Sequence, residues 1–294
     1  MNTVDRNELR RYDAMSESAA AAVINEYSTS FSLATALLPK GVRRDIRNVY
    51  AVVRIADEVV DGTSDAAGVD NVEDVLNNYE AAIVAAPESR FHTDPIIHAY
   101  ATTARRCKLE REHIQAFFAS MRRDLDPTDH DEHSFDCYVY GSAEVIGLMC
   151  LNVFFAGEVV PNSDRSTLEA GARALGAAFQ KVNFLRDLGD DHSRLGRRYF
   201  PQLNHRDLND EMKAEIVSDI RRDLRVARTA MPLLPRRVRV GVVAAAALFE
   251  ELTDMIESTP AHTLASTRIR VPAHRKAAIT ARSLVDAARM EQHP

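Results

Sequence analysis

Two stretches of this chain place a pair of aspartates one helical turn apart inside segments that are otherwise almost wholly apolar, and any fold has to accommodate them. The first, residues 49–62, reads VYAVVRIADEVVDG. Apolar residues run nearly all the way round the helix this spacing describes, which makes it a core helix. One polar stripe interrupts it: Arg47, Tyr50, Arg54, Asp57 and Asp61 recur at intervals of three and four and share a face. Asp57 and Asp61 lie about 6 Å apart along the helix axis. Like charges at that spacing repel, and burial without a counter-charge costs several kcal/mol per ion.

The second stretch, residues 175–191, reads LGAAFQKVNFLRDLGDD. Gln180, Asn183, Asp187 and Asp191 fall on one face by the same rule, and Leu175, Ala178, Phe179, Val182, Leu185 and Leu188 fill much of the rest. An isolated pair of this kind is ordinarily a solvated face. Two of them, each in an apolar helix and each with an arginine beside it (Arg54, Arg186), call for something positive between them. Donors that are all oxygen, with no Cys or His, select a hard cation. Mg²⁺ fits, with Mn²⁺ as its substitute, because it binds through one or two carboxylates and the oxygens of a phosphate. The arginines suit the same phosphate oxygens. The expectation is two acidic helices facing across a cavity, with Mg²⁺ bridging them to a diphosphate.

The remaining sequence says what kind of fold surrounds that cavity. Only 11 Gly and 11 Pro occur in 294 residues, so turns are scarce and a sandwich of short strands is excluded. Alanine is abundant and β-branched runs are few, which favours helix. The reading is one all-α domain over residues 1–294 with a polar, frayed N-terminus to about Asp13. Helices are expected at Ser16–Glu26 (opened by Ser16), from Pro39 to Asp61 (closed by Gly62), and near 71–85, 95–107, 111–125, 136–156, 164–191, 209–230, 235–258 and 273–290. The formal charge of −6, from 37 basic and 43 acidic residues, gives no field that calls for nucleic acid. Cys107, Cys137 and Cys150 show neither disulfide nor zinc spacing. With no signal peptide in view, a reduced, cytoplasmic setting is expected. The longest apolar runs, 145–157 and 240–249, are each shorter than the roughly 18 residues of a membrane span.

Two further features stand out. Arginines crowd residues 221–239 (Arg221, Arg222, Arg225, Arg228, Arg236, Arg237, Arg239). They form either a solvated helix face or a peripheral contact with the anionic inner face of a membrane. Asp126–His133 gathers acids and histidines but lacks the glycine and closing glutamate of a calcium loop, and reads as solvated.

The two aspartate segments resemble the squalene/phytoene synthase family of head-to-head prenyltransferases. Residues 54–62 (RIADEVVDG) match its first aspartate-rich motif, and 180–191 (QKVNFLRDLGDD), followed by 196–201 (GRRYFP), match its second. The segments 27–32 (YSTSFS), 121–125 (MRRDL) and 138–147 (YVYGSAEVIG) stand where the family's other signatures stand, so the likeness spans roughly residues 27–275. It implies an isoprenoid-synthase helical bundle around one cavity. In it Asp57, Asp61, Asn183, Asp187 and Asp191 hold Mg²⁺, while Ser28, Ser30, Arg54, Gln180, Asn183, Arg186 and Arg268 bind diphosphate. Tyr50 and Tyr140 line the reaction centre. Phe31, Val53, Leu148, Phe154 and Phe179 are expected along the apolar wall, and Phe249 stands where the family usually has a tyrosine. The phrasing of the motifs is most similar to the bacterial phytoene synthases. That implies two geranylgeranyl diphosphates joined through a cyclopropylcarbinyl diphosphate to phytoene, without NADPH. The alternative is farnesyl diphosphate, giving dehydrosqualene or, with NADPH, squalene. A terpene cyclase and a non-catalytic scaffold member are the remaining rivals.

Overall fold

The computed structural model describes residues 3–126, 130–195, 197, 199–203, 207–264 and 266–290, without the side chains of 3–6 and 189–195. Among the described residues every regular element is helical. In chain order these are α1 (Thr3–Tyr27), α2 (Thr29–Ala36), α3 (Lys40–Val60), α4 (Thr63–Ala66), α5 (Val72–Ala85), α6 (Pro95–Cys107) and α7 (Arg111–Arg123). They are followed by α8 (Glu132–Val139), a π turn (Tyr140–Glu144), α9 (Val145–Phe154), α10 (Asn162–Leu195), α11 (Asp210–Ala230), α12 (Arg236–Ser258), α13 (Ala261–Leu264) and α14 (Ala273–Arg289).

The boundaries have local causes. Asp94 accepts hydrogen bonds from the backbone N–H of Ile96 and Ile97 at 2.8 and 2.9 Å and opens α6, with Pro95 at its first position. Asn71 and Asn209 cap α5 and α11 in the same way. Asp131 and Ser134 form a reciprocal capping box at α8. Gly62, at φ 95°, closes α3 where an L side chain would be strained.

Several elements depart from the sequence reading, among them the short helices α4 and α13, which it does not expect. α1 is helical from Thr3, where a frayed segment is expected. Its N-terminal half is held down by the Tyr12 hydroxyl donating to the Thr93 carbonyl and by His98 Nε2 on Asp13 at 2.8 Å. Ser16, expected to open the helix, is fully buried within it. The YSTSFS segment forms a helix of its own, α2, with Ser28 as its cap. α8, the π turn and α9 join into a 23-residue rod, Glu132–Phe154, whose most apolar 18-residue stretch has mean hydropathy 1.4. By length and composition it could cross a membrane, unlike the shorter runs seen in sequence. In this fold it is a core helix, with Tyr138, Val139, Val145, Met149, Leu151 and Val153 buried.

Glycines bring that rod against its neighbours. A Cβ on Gly147 would overlap the Ala172 carbonyl, and one on Gly176 the Ala143 carbonyl, so α9 and α10 meet backbone to backbone. Gly141 approaches the Ala116 carbonyl of α7 equally closely. Apolar side chains gather into three clusters around these contacts. One centres on α3, α5, α6 and α7; one on α8, α10, α11 and the end of α12; and one on α9, α11 and the start of α12.

The arginine cluster is largely neutralised within the fold. Arg221 pairs with Asp254 at 2.8 Å and with Glu257, Arg222 with Asp219, Arg228 with Glu250 at 2.8 Å, and Arg237 with Glu158. Arg239 is buried and donates to the carbonyls of Met290, Pro232 and Leu234. The sequence places only Asp223 among these arginines; Asp219 lies one turn before Arg222 on α11, Asp254, Glu257 and Glu250 come from α12, and Glu158 comes from the segment after α9.

Candidate active site

A cavity of about 840 Å³ runs between the clusters. Its polar end is bordered by α2, α3, α10 and the segment before α14; its apolar end is closed by Leu38, Leu151, Phe154, Leu168, Met231 and Leu234. Of the residues expected in the site, Ser28, Ser30, Tyr50, Arg54, Asp57, Asp61, Gln180, Asn183, Arg186, Asp187 and Arg268 all line it. The two acidic helices therefore border one space. The side chain of Asp191 lies outside the described residues, as do residues 127–129 of the Asp126–His133 segment.

On α3 the aspartates are unequally supported. Asp61 caps the C-terminal end and takes a 2.7 Å hydrogen bond from Arg197 Nη1. Asp57 has Arg54 at longer range, with Nη1 3.8 Å from its Oδ2. The Arg54 guanidinium is drawn instead to Glu58 and lies 4.4 Å above the Tyr27 ring. Desolvation, with Asp61 adding its like charge, raises the Asp57 pKa to about 8. On α10 the balance is reversed. Asp187 receives Arg186 Nε at 2.9 Å and Arg268 Nε at 2.8 Å, so both arginines crowd one carboxylate. The Ser28 hydroxyl accepts the Phe31 N–H at the start of α2. Tyr50 stacks on Phe31 with ring centroids 5.8 Å apart, and burial raises its pKa to about 12. Lys276, on α14, reaches across to the Thr29 hydroxyl at 2.9 Å.

One tyrosine is placed differently from expectation. Tyr140 does not line the cavity; it packs beside the first cluster with Arg173 5.4 Å from its ring. Tyr138, two residues earlier, does line it. Residues two apart on a helix point to different faces, so choosing between the tyrosines of YVY requires the orientation of the rod. The Tyr138 hydroxyl donates to both oxygens of Asp124, at 2.9 and 2.7 Å, and its pKa is pushed far up by burial and that neighbouring charge. Arg197, Tyr199 and Asp124 also line the cavity and are absent from the sequence-based site. Asp124 and Tyr199 do stand inside the MRRDL and GRRYFP segments, where a buried aspartate and a following Arg-x-Tyr were the available signal.

The apolar wall includes Phe31, Val53, Phe154 and Phe179, but not Leu148. Phe249 lies face to face with Phe179 at 3.7 Å between centroids, completing an aromatic wall with no hydroxyl.

The donor set suits a hard cation. Asp57, Asp61, Asp187, Asn183 and Gln180 offer oxygen ligands, and Asp57 resists ionisation because burial and the neighbouring Asp61 outweigh the counter-charge of Arg54. Among the described residues, no three acidic, His or Cys side chains converge as a ready-made cage.

The sequence profile of squalene/phytoene synthases matches residues 24–275. A 4,4'-diapophytoene synthase of Staphylococcus haemolyticus is 31% identical over 205 residues, covering 67% of this chain and 66% of that protein. A phytoene synthase of Arthrospira platensis is 31% identical over 184 residues, covering 60% of this chain and 58% of the relative. The matched regions thus span well over half, but not the whole, of these curated relatives. Among solved structures, a dehydrosqualene synthase in complex with a ligand superposes with a TM-score of 0.76 at 21% identity, over 96% of this chain and 98% of that one.

Proposed function

The chain belongs to the squalene/phytoene synthase family, and from that premise we propose that it carries out the Mg²⁺-dependent head-to-head condensation of two geranylgeranyl diphosphates to phytoene, through a cyclopropylcarbinyl diphosphate. The observation that carries this reading is the division of one cavity into an ionic end, bordered by Asp57, Asp61 and Asp187 with Arg54, Arg186 and Arg268, and a long apolar end. Such a space suits a diphosphate with a hydrocarbon tail.

Asp57 and Asp61 on one side, and Asp187 with Asn183 on the other, would hold Mg²⁺, which supplies charge stabilisation for the departing diphosphate. Arg54, Arg186 and Arg268 bind the diphosphate oxygens; the arginines now on Asp187 move to the phosphate when substrate arrives. The first carbon–oxygen bond that breaks leaves an allylic cation, and the second, in the cyclopropylcarbinyl diphosphate, leaves a cyclopropylcarbinyl cation. Phe31, Tyr50, Phe179 and Phe249 keep water from both and offer π faces to them. Tyr138, with its pKa far above the neutral range, keeps its proton and acts as a hydrogen-bond donor rather than as a base. The last step is loss of a proton from the coupled cation, and no nicotinamide enters it.

The C20 chain length is favoured by the small residues along the cavity, among them Ala34, Ala172 and Ala245. Farnesyl diphosphate, the C15 substrate, is the second reading, favoured by the identity to the diapophytoene synthase. Incubation with each diphosphate separately, with and without NADPH, followed by product mass, tests the proposal. A C40 hydrocarbon from geranylgeranyl diphosphate alone is expected; a C30 product made in preference would overturn the chain-length assignment.

A further inference from the structure

Asp61 and Asp124 occupy the same position on different helices: each is the C-terminal cap, Asp61 of α3 and Asp124 of α7. A carboxylate there opposes the helix dipole, which already concentrates negative charge at that end. The fold brings both ends together and places one guanidinium between them. Arg197 is almost fully buried. Its Nη1 donates to Asp61 Oδ1 at 2.7 Å, and its Nη2 donates to the carbonyls of Val60 at 2.6 Å and Asp124 at 3.1 Å. Its Nε lies 3.7 Å from Asp124 Oδ1. One positive charge thus answers two helix ends and two carboxylates. On its far side Asp124 receives the Tyr138 hydroxyl on both oxygens and the Tyr199 hydroxyl at 3.4 Å. The tyrosines, in turn, are packed against the His130 ring, 5.3 Å from Tyr138 and 6.3 Å from Tyr199.

We infer that Asp124 is a positioning residue shared by the two halves of the site: it fixes the Tyr138 hydroxyl at the cavity wall, and it holds part of the charge of Arg197 away from Asp61 so that Asp61 remains able to bind a divalent cation. Towards the end of α3, Arg54 stands beside Asp57 while Arg197 links Asp61 to Asp124, and Arg54 is committed largely to Glu58. If Asp124 is made neutral, Arg197 keeps Asp61 as its charged partner among the described residues and pairs with it in full. A cation must then compete with a buried guanidinium for that oxygen. The Tyr138 hydroxyl loses its charged acceptor in the same change and is free to turn. A purely structural tie between helix ends has neither consequence for a protein that stays folded.

The inference rests on the proposed use of the site for a metal-bound diphosphate, and its test has an arm that needs no prenyl substrate. Mn²⁺ is titrated calorimetrically into the full chain in the presence of inorganic diphosphate, for wild type, Asp124→Asn and Asp124→Glu. Asp124→Asn is expected to weaken Mn²⁺ about tenfold, the size of one lost charge interaction at a partly buried site. Asp124→Glu, which keeps the charge, stays within about threefold of wild type. In turnover at saturating divalent cation, Asp124→Asn lowers kcat with KM little changed, and its effect largely disappears in a Tyr138→Phe background, because both changes remove the same hydrogen bond. Unaltered Mn²⁺ affinity in Asp124→Asn overturns the inference. So does a kcat loss that adds in full to that of Tyr138→Phe. Should Asp124→Asn fail to fold, wild-type Mn²⁺ affinity with reduced kcat in Asp124→Glu supports the inference, and unchanged kcat in that variant refutes it. Absence of prenyl turnover in wild type would refute the proposed reaction alone, and the Mn²⁺ arm would still decide this point.

Discussion

Neutralising Asp57 should make the cation-free protein more stable while removing its function. The carboxyl is held in the cavity wall beside Asp61, and its pKa is raised from 3.8 to about 8. Between those values the folded protein holds a proton that the unfolded chain has released, so this group's contribution makes stability fall as pH rises through that window. Taken at face value the rise corresponds to about 6 kcal/mol at pH 8. The side chain is 31% exposed to the cavity, and solvent there screens the interaction to about 2 kcal/mol. For a chain of this length that corresponds to about 4 °C in melting temperature. Without divalent cation, Asp57→Asn should therefore melt about 4 °C above wild type near pH 8, and the gap should narrow towards pH 4. Mg²⁺ with inorganic diphosphate should then raise the wild-type melting temperature and leave that of Asp57→Asn nearly unmoved. The assay is thermal unfolding followed by circular dichroism across that pH range, with and without the ligands. A variant that melts at or below wild type at pH 8, or a gap that widens on acidification, would refute the reasoning.

Four other expectations follow from the same geometry. Tyr138→Phe should lower kcat strongly while Tyr140→Phe spares it, since only Tyr138 lines the cavity; equal kcat losses would return Tyr140 to the reaction centre. Removing Arg186 or Arg268 should raise KM for the prenyl diphosphate by roughly tenfold or more, the worth of a charge-assisted hydrogen bond, and an unchanged KM would contradict their placement. Gly147→Ala forces a methyl into the Ala172 carbonyl and should cost about 1–3 kcal/mol, read as a drop in melting temperature of several degrees; unaltered melting would mean the helices do not meet as closely as described. Because Arg221, Arg222, Arg228 and Arg237 are paired internally, sedimentation with anionic vesicles should show weak binding even at low salt. Tight, salt-sensitive binding would show that these pairs open at a membrane surface.

The helices were legible in the sequence wherever an apolar stripe, a cap and a breaker agreed. α3 lies between Pro39 and Gly62, and α6 between Asp94–Pro95 and Lys108, close to where periodicity puts them. α2 was not legible, because YSTSFS is rich in hydroxyl residues that ordinarily prefer turns, and its helix depends on Ser28 acting as a cap. The N-terminal half of α1 has a polar pattern and is held by contacts to α6 that no local signal announces. In the site, the two aspartate stripes could be read directly, because paired carboxylates in an apolar helix are costly unless a counter-charge meets them. Arg197 and Asp124 could not be paired in advance: 73 residues separate them, and their meeting depends on how α7 and the end of α10 close around α3. Tyr138 and Tyr140 are equivalent in pattern, and only the rotation of the rod around its π turn separates them.

The central claim is that two prenyl chains are joined at this site. The direct measurement is the mass of hydrocarbon formed from geranylgeranyl diphosphate with Mg²⁺, together with the diphosphate released per molecule of product. Head-to-head coupling predicts a C40 hydrocarbon and two diphosphates for each one formed, with both lost in Asp57→Ala and Asp187→Ala. A C20 product releasing a single diphosphate, or full coupling in either variant, would contradict it.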